Sequence, residues 1–451
     1  MWPTFLALAG GLLAGARVTL GFQSIASQQP TSGFRAPSSA SPVVTLSATI
    51  AIDENVERDV YSMEEWAANC GVQRAEGFQL ISEDGGNDFG VMAALDLPAG
   101  SPVLFVPSQM ILSSNAEEYG EQLALAEDQL GQAGLGGKIP LFRLFIKVLA
   151  EYKKGDQSPY HPWLNSLPRR YNNGASMTYA CFDCLPPYVA LLSKNERVTF
   201  KNFHKVIHLV PFLDDNIVAN RHLIKFAYNV AVTRSFDVDG EKRIVPMADM
   251  FNHGAETEVD ISYDEVGNCI VYASRDVPAG SSLRISLGDS TNPSPLFAKY
   301  GFLDESSRGT FCKLMHLKEE MRDLRMGFSD LLFYNNGDIS EEVWDVVLYS
   351  ILAAERNIQE GFYQACMSGD GETKNAYHRQ YFPYTLEALR KHVDGTLKVL
   401  DTLSERANSY DRSTHPRIPV ILKHNTFVKG TFLKVSEKLN AMASELDDSE
   451  S

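Results

Sequence analysis

The segment from Arg243 to Phe302, RIVPMADMFNHGAETEVDISYDEVGNCIVYASRDVPAGSSLRISLGDSTNPSPLFAKYGF, leaves the backbone few choices. VDISY (259–263) and CIVYAS (269–274) alternate apolar and polar residues, the period of half-buried strands, and EVGN between them reads as a hairpin turn. Pro278-Ala279-Gly280 then turns the chain into LRIS. Ahead of the hairpin, an apolar strand is expected to end in Met-Ala-Asp249-Met-Phe, with Asn252-His253-Gly254 at a chain reversal. Tyr300-Gly301-Phe302 closes the segment. Short strands of this kind carry polar residues to one place.

A second meander stands upstream. GFQLIS (77–82), a polar turn, FGVMAALDL (89–97), Pro98-Ala99-Gly100 and VLFV (103–106) read as short strands behind a helix at Tyr61–Ala68, with Trp66 on its apolar side. Residues 115–230 between the two β-rich stretches are mainly helical. IPLFRLFIKVLAEYKKG (139–155) has helical spacing and a Lys-Lys-Gly stop, and a second region from Phe200 to about Val232 runs into Thr233-Arg234-Ser235-Phe236. From Gly309 onward the pattern is helical again. Ser340 is expected to cap a helix with Glu341 and Glu342 in its first turn. Leu386, Leu389, Val393, Leu397 and Leu400 form one apolar stripe, and Val428, Phe432, Val435, Leu439 and Met442 another. The expected fold is α+β: a β-rich core over 53–308 with a helical insertion at about 115–230, an all-α domain over 309–445, and a solvated tail, ELDDSES, from which 446–451 is counted as disordered.

Composition excludes some functions. With a net charge of −16 the chain lacks the basic face a general nucleic-acid binder needs. Six cysteines among 451 residues are too few for a disulfide framework. Cys181-x-x-Cys184 has no second pair nearby to complete a tetrahedral site, so no metal is expected.

Together, ADMFNH (248–253) and KYGF (299–302), at this separation, resemble the SET-domain methyltransferases, in particular the subfamily typified by plant Rubisco large-subunit lysine N-methyltransferase. That subfamily also includes the actin-histidine methyltransferase. The resemblance extends from about Tyr61 to Glu305 and includes PWLNSLPRRY (162–171), similar to a Pro-aromatic…SLP signature of the subfamily. It implies a knotted active site that binds S-adenosylmethionine on one side and a substrate lysine through a channel on the other. By resemblance, Asp88, Phe89, Gly90, Arg234, Asn252 and His253 bind the cofactor, with Arg234 spanning its carboxylate and the substrate side. Asp249, Phe236 and Leu287 face the substrate, and Tyr300 supplies the essential channel hydroxyl. The C-terminal helices would dock a protein substrate, for which the subfamily suggests Rubisco large subunit or a plastid aldolase. A monomer is expected, with no nucleic-acid partner and no stable membrane insertion.

Two departures stand out. The usual Glu-Gly of the first cofactor segment is Asn87-Asp88, and a second channel tyrosine, 13 residues before the YGF tyrosine, is Leu287. They leave open a catalytically weak or inactive protein-binding module. Histidine methylation is a further alternative, which Phe236, two residues after Arg234, disfavours.

The first 52 residues hold Arg17 and Arg35 and no acidic residue. Phe5–Ala16 is an apolar run too short to span a bilayer, which takes about 20 helical residues. An apolar core followed by a Ser-, Ala-, Gln- and Pro-rich segment resembles the bipartite presequences of algae whose plastids lie behind extra membranes. Mitochondrial import and secretion are the alternatives. A fluorescent fusion of residues 1–60 is expected to accumulate in a plastid, with the mature protein starting between about Phe22 and Asp53. Export to the medium would overturn that expectation.

Overall fold

Strands far apart in the sequence pair with one another, and the helical stretch between them is looped out. In the computed structural model, which describes residues 50–82, 88–115 and 119–450, one sheet has the order Gln73–Arg74, Pro102–Val106, Cys269–Ala273, Val259–Tyr263, antiparallel throughout. A second has the order Phe78–Ile81, Gly90–Ala93, Ser282–Ile285, Asn252–His253. A third, small sheet sets Glu241–Ile244 between Leu112–Ser113 and Ser235–Val238. The presequence expectations, Phe5–Ala16 included, and Asn87 lie outside the described residues.

The two Pro-Ala-Gly turns show how the halves are joined. Asp276 Oδ1 accepts the Ala99 N–H at 2.8 Å, and Asp96 Oδ1 accepts the Ala279 N–H at 2.7 Å. Leu97 and Val277 bridge beside them. Each turn is therefore capped by the carboxylate that precedes the other. The expected hairpin forms in register, Cys269 opposite Tyr263 and Ala273 opposite Val259.

The inserted helices pack by their apolar faces. Ile139–Lys154 carries Pro140 in its first turn, which its fixed φ suits, and stops at Gly155, φ 58°. It buries Phe142 and Phe145 against Phe203 and Tyr228, with Phe142 and Phe203 rings 5.1 Å apart. Each such side chain contributes about 1.5–3 kcal/mol by leaving water. The second helical region starts earlier than its apolar spacing indicated. Pro187–Val206 forms one helix, and a break precedes Arg221–Arg234, whose end leads into the strand with Phe236.

The C-terminal part opens with an antiparallel pair, Gly309–Phe311 against Leu332–Tyr334, with the short helix Lys318–Asp323 between the two strands. Both apolar stripes are buried together in one core, with Leu397 and Met442 at its margin. Ser340 stands at the N-cap of Glu341–Ile351, but its hydroxyl accepts from Leu332 N–H at 3.1 Å and donates to the Asp330 carbonyl at 2.9 Å. It thus ties the helix start to the hairpin and leaves the helix N–H groups uncapped by a side chain. The last helix, Ile418–Glu450, runs through most of the segment expected as a tail.

Gly301 ends the helix Pro293–Tyr300 with φ 86°, and a Cβ there would stand 2.5 Å from the Asn172 carbonyl carbon and the Asn173 nitrogen. Only glycine satisfies both demands. Gly301→Ala should therefore lose about 1–2 kcal/mol for left-handed backbone and a further 1–3 kcal/mol for the clash. Urea unfolding would read the loss, and an unchanged midpoint would contradict the close packing of 172–173 on this turn.

Candidate functional site

Asn252–His253 is a two-residue strand, where a chain reversal was expected. It pairs parallel to Ser282–Ile285, Asn252 beside Arg284 and His253 beside Ile285. The chain between the two strands crosses back. Gly254 N–H donates to the Ile285 carbonyl at 3.0 Å, and Glu258 N–H to the Arg284 carbonyl at 3.2 Å. The buried Glu258 carboxylate then takes the Arg284 backbone N–H at 3.1 Å, its Nη2 at 2.8 Å, and Arg275 Nη2 at 2.7 Å. Although burial opposes it, the arginine pair holds this carboxyl below its ordinary range. The apolar strand expected before this point ends at Ile244, and Ala248–Met250 is a 3₁₀ turn behind Met247, a buried residue at φ 73°.

Beside the crossing lies a cleft of about 1250 Å³. Asp88, Phe89, Arg234, Phe236, Asp249, Asn252, His253, Leu287 and Tyr300 all line it. Gly90 sits just behind the wall, and a Cβ on it would meet Asn252 Nδ2 at 2.7 Å. The expected residues are therefore brought together, Gly90 through the amide it makes room for.

Backbone groups of Leu287 link the two motifs. Its N–H donates to His253 Nδ1 at 3.1 Å, and its carbonyl accepts the Tyr300 hydroxyl at 3.4 Å. An accepting Nδ1 requires the proton, in the neutral ring, on Nε2. Nε2 faces Asp304 Oδ2 at 3.4 Å, without hydrogen-bond alignment. Burial lowers the His253 pKa even though Asp304 opposes the shift. Burial also raises the Tyr300 pKa, with Asp237 and Glu196 adding to it, so its hydroxyl stays protonated.

Cations and a carboxyl group share the inner wall. Arg234 Nη1 donates to the Asp249 carbonyl at 2.6 Å, while Arg234 Nε and Asp249 Oδ1 are buried without hydrogen-bond partners. Asp249 Oδ2 accepts Trp163 Nε1 at 3.1 Å, and burial raises the carboxyl's pKa against the pull of Arg234. Arg58 donates through Nε to the Ser166 carbonyl at 2.7 Å and lies 5.0 Å from the Phe89 ring centre. Burial, and then the charge of Arg234, lower its pKa to about 10, which leaves it a cation at neutral pH. Arg58, Trp163, Tyr171 and Asp304 escaped the sequence reading. Trp163 and Tyr171 lie in the PWLNSLPRRY segment, whereas Arg58 sits in a charged run, ENVERD, that reads as surface.

Such a wall can hold a carboxylate between two guanidinium groups and disfavour a further cation. Among the described residues no group of three metal-ligating side chains occurs, and no helix is long and apolar enough to cross a membrane. Cys181 and Cys184 are buried free thiols.

Residues 88–288 match the SET domain family model, so the chain carries a SET domain. No curated protein matches it in sequence. Among solved structures it is similar to the SET domain of LSMT bound to lysine and AdoHcy, at TM-score 0.58 and 14% identity over 86% of this chain and 92% of that one. It is similar as well to Rubisco LSMT bound to sinefungin and monomethyllysine, at TM-score 0.58 and 16% identity over 87% and 94%. A third is Rubisco LSMT bound to AdoMet, at TM-score 0.58 and 15% identity over the same shares. The likeness is one of fold.

The His253 ring gives a pH test. Its unfolded pKa is about 6.5, and its folded pKa is lowered. Unfolding therefore takes up a proton as the pH falls. Stability from the neutral ring is fully present above about pH 6.5 and is lost as the pH falls toward the folded pKa. Replacing His253 by Asn should flatten the fall in urea midpoint between about pH 7.5 and 5.5. A slope equal to the parent's would mean that the ring is not held neutral.

Proposed function

We propose that this SET-domain chain is an S-adenosylmethionine-dependent protein-lysine N-methyltransferase acting on a plastid protein. The reading is carried by one cleft in which Arg58, Arg234, Asp249, Asn252, His253 and Tyr300 meet. Its residues fit the cofactor: two buried guanidinium groups suit a carboxylate, and Arg234 Nε and Asp249 Oδ1 lack partners. Similar folds bound to AdoMet, AdoHcy and lysine support the same reading.

When bound, S-adenosylmethionine supplies an electrophilic methyl group on a sulfonium sulfur. Arg58 and Arg234 would hold its carboxylate, and Asn252, His253 and Phe89 the rest of it. The chain must also receive lysine as a neutral amine, although the free side chain has a pKa of about 10.4. Desolvation in the cleft and the two guanidinium charges both disfavour the ammonium. The Tyr300 hydroxyl donates a hydrogen bond to the Leu287 carbonyl, so its oxygen is left to accept an N–H of the amine. That contact would orient the amine within the cleft, where alignment governs rate. Rubisco large subunit and a plastid aldolase are the first substrates to try. Leu287, with no side-chain hydroxyl, favours a second reading, a weakly active or inactive binding module.

Calorimetry should find micromolar binding of S-adenosylmethionine that Asn252→Ala removes, and mass spectrometry of plastid proteins from cells with and without the chain should reveal the methylated lysine. With that substrate, Tyr300→Phe should slow transfer by about a hundredfold and leave cofactor affinity nearly intact. Leu287→Tyr should raise the rate or shift the mono-, di- and trimethyl distribution. Unaltered transfer by Tyr300→Phe would remove the role given to Tyr300, and absence of cofactor binding would favour the binding module.

A further inference from the structure

The side chains of Asp304 and His253 are buried against each other, at 9% and 2% exposure. Asp304 Oδ1 closes a turn, accepting the Ser306 N–H at 3.0 Å and the Ser306 hydroxyl at 2.5 Å. Oδ2 has no such work. It is buried without an aligned partner, as is His253 Nε2, and the two atoms stand 3.4 Å apart. Buried polar groups are normally paired, so two unpaired atoms that face each other ask for an explanation.

The protonation of the ring supplies one. Nδ1 accepts the Leu287 N–H at 3.1 Å, which puts the proton of the neutral ring on Nε2, facing the carboxylate. At 3.4 Å the contact is longer than an ordinary N–H···O bond, and it acts through charge. Two charged groups act on the ring: Asp304 favours its cation, Arg284 opposes it, and burial keeps it neutral. Phe302 covers one face, with ring centres 5.8 Å apart. The ring is therefore held at both edges, and one of them leads on. The Leu287 carbonyl accepts the Tyr300 hydroxyl at 3.4 Å.

We infer that Asp304 is a positioning residue: its carboxylate selects the form of His253 protonated on Nε2, so that Nδ1 holds the Leu287 N–H and, through the same residue's carbonyl, the Tyr300 hydroxyl. The consequence for transfer rests on the methyltransferase reading above, whereas the selection of the ring form does not.

Asp304→Asn separates this role from that of the turn. Ser306 still requires an oxygen on its side, so the introduced amide turns its NH2 group toward Nε2. That group and the Leu287 N–H would both donate to a neutral ring with one acceptor, and one contact must be lost. Asp304→Ala removes the carboxylate and adds no donor.

Nuclear magnetic resonance on the full chain, labelled with ¹⁵N-histidine and ¹⁵N-leucine, tests the inference, with the His253 signals identified by their absence from His253→Asn. At neutral pH the parent should show one form, protonated on Nε2. Asp304→Asn should add a form protonated on Nδ1 and speed exchange of the Leu287 amide by about tenfold, the loss of one neutral hydrogen bond. Asp304→Ala should keep the Nε2 form. In both variants the His253 titration midpoint should fall, because the carboxylate that favours the cation is gone. In methyl transfer, Asp304→Asn should lower kcat more than Asp304→Ala, and Tyr300→Phe should abolish the difference. A parent ring protonated on Nδ1 overturns the inference without any variant. An unmoved midpoint in both variants overturns it too. So does Asp304→Asn matching the parent while Asp304→Ala alone disturbs Leu287, since the residue would then serve only its turn. Calorimetry keeps the two readings apart. A parent protonated on Nε2 that binds no S-adenosylmethionine loses the methyltransferase reading and keeps the ring form, and one that binds it with Nδ1 protonated loses this inference alone.

Discussion

The parallel pairing of Asn252–His253 with Arg284–Ile285 is the constraint on which the site depends. Parallel neighbours need a crossover connection, and here the crossover contains the Val259–Ala273 hairpin, which belongs to another sheet. The pairing therefore holds two sheets in one relation. Glu258 secures it by gathering Arg284 and Arg275 onto one buried carboxylate. Gly254 is required at the crossing, because a Cβ there would meet the Glu256 carbonyl at 2.8 Å. Once the crossing is made, His253 lies beneath the Leu287 N–H, and the cleft has its floor.

The cleft is expensive to build. Burying charge costs several kcal/mol, even after relaxation, and this wall holds Arg58 and Arg234 beside Asp249, whose own pKa is raised by burial. A core selected for stability alone would replace these groups with apolar ones of similar volume. The buried Arg234 Nε, left without a hydrogen-bond partner, marks a surface that can take an anion. The same field acts on anything else that enters, so the amine of the proposed substrate would meet a lower proton affinity there.

Periodicity made much of this legible. The alternating strands, the helix with Phe142 and Phe145, and the C-terminal stripes stand where their spacing put them. The site residues were found through motifs, and the cleft gathers nearly all of them. What escaped has a common cause. A two-residue strand has no period, and its partner lies some thirty residues on, so Asn252–His253 reads as a turn. Arg58 joins the cleft from the residues just before the first helix, among charges that look like surface. Tyr171 is placed by Arg417, 246 residues away. Ser340 has a capping residue's identity and position, but tertiary partners take its hydroxyl. In each case a long-range contact decided what local pattern left undetermined.

Leu287 shows why a departure from a motif need not dismantle its site. The side chain has lost a hydroxyl, but the position's structural work is done by the main chain, whose N–H meets His253 and whose carbonyl meets Tyr300. Any residue but proline at 287 would supply both groups. What the leucine changes is the cleft wall, where on the proposed reading an apolar surface would replace a second acceptor for the amine. A less polar wall disfavours an ammonium further, while one hydroxyl fewer fixes the amine's rotation less tightly. On the proposed lysine reading, the first effect would help generate the nucleophile and the second would loosen its aim. Since alignment carries more of the barrier than a single neutral hydrogen bond, Tyr300 would then bear the larger share of the positioning.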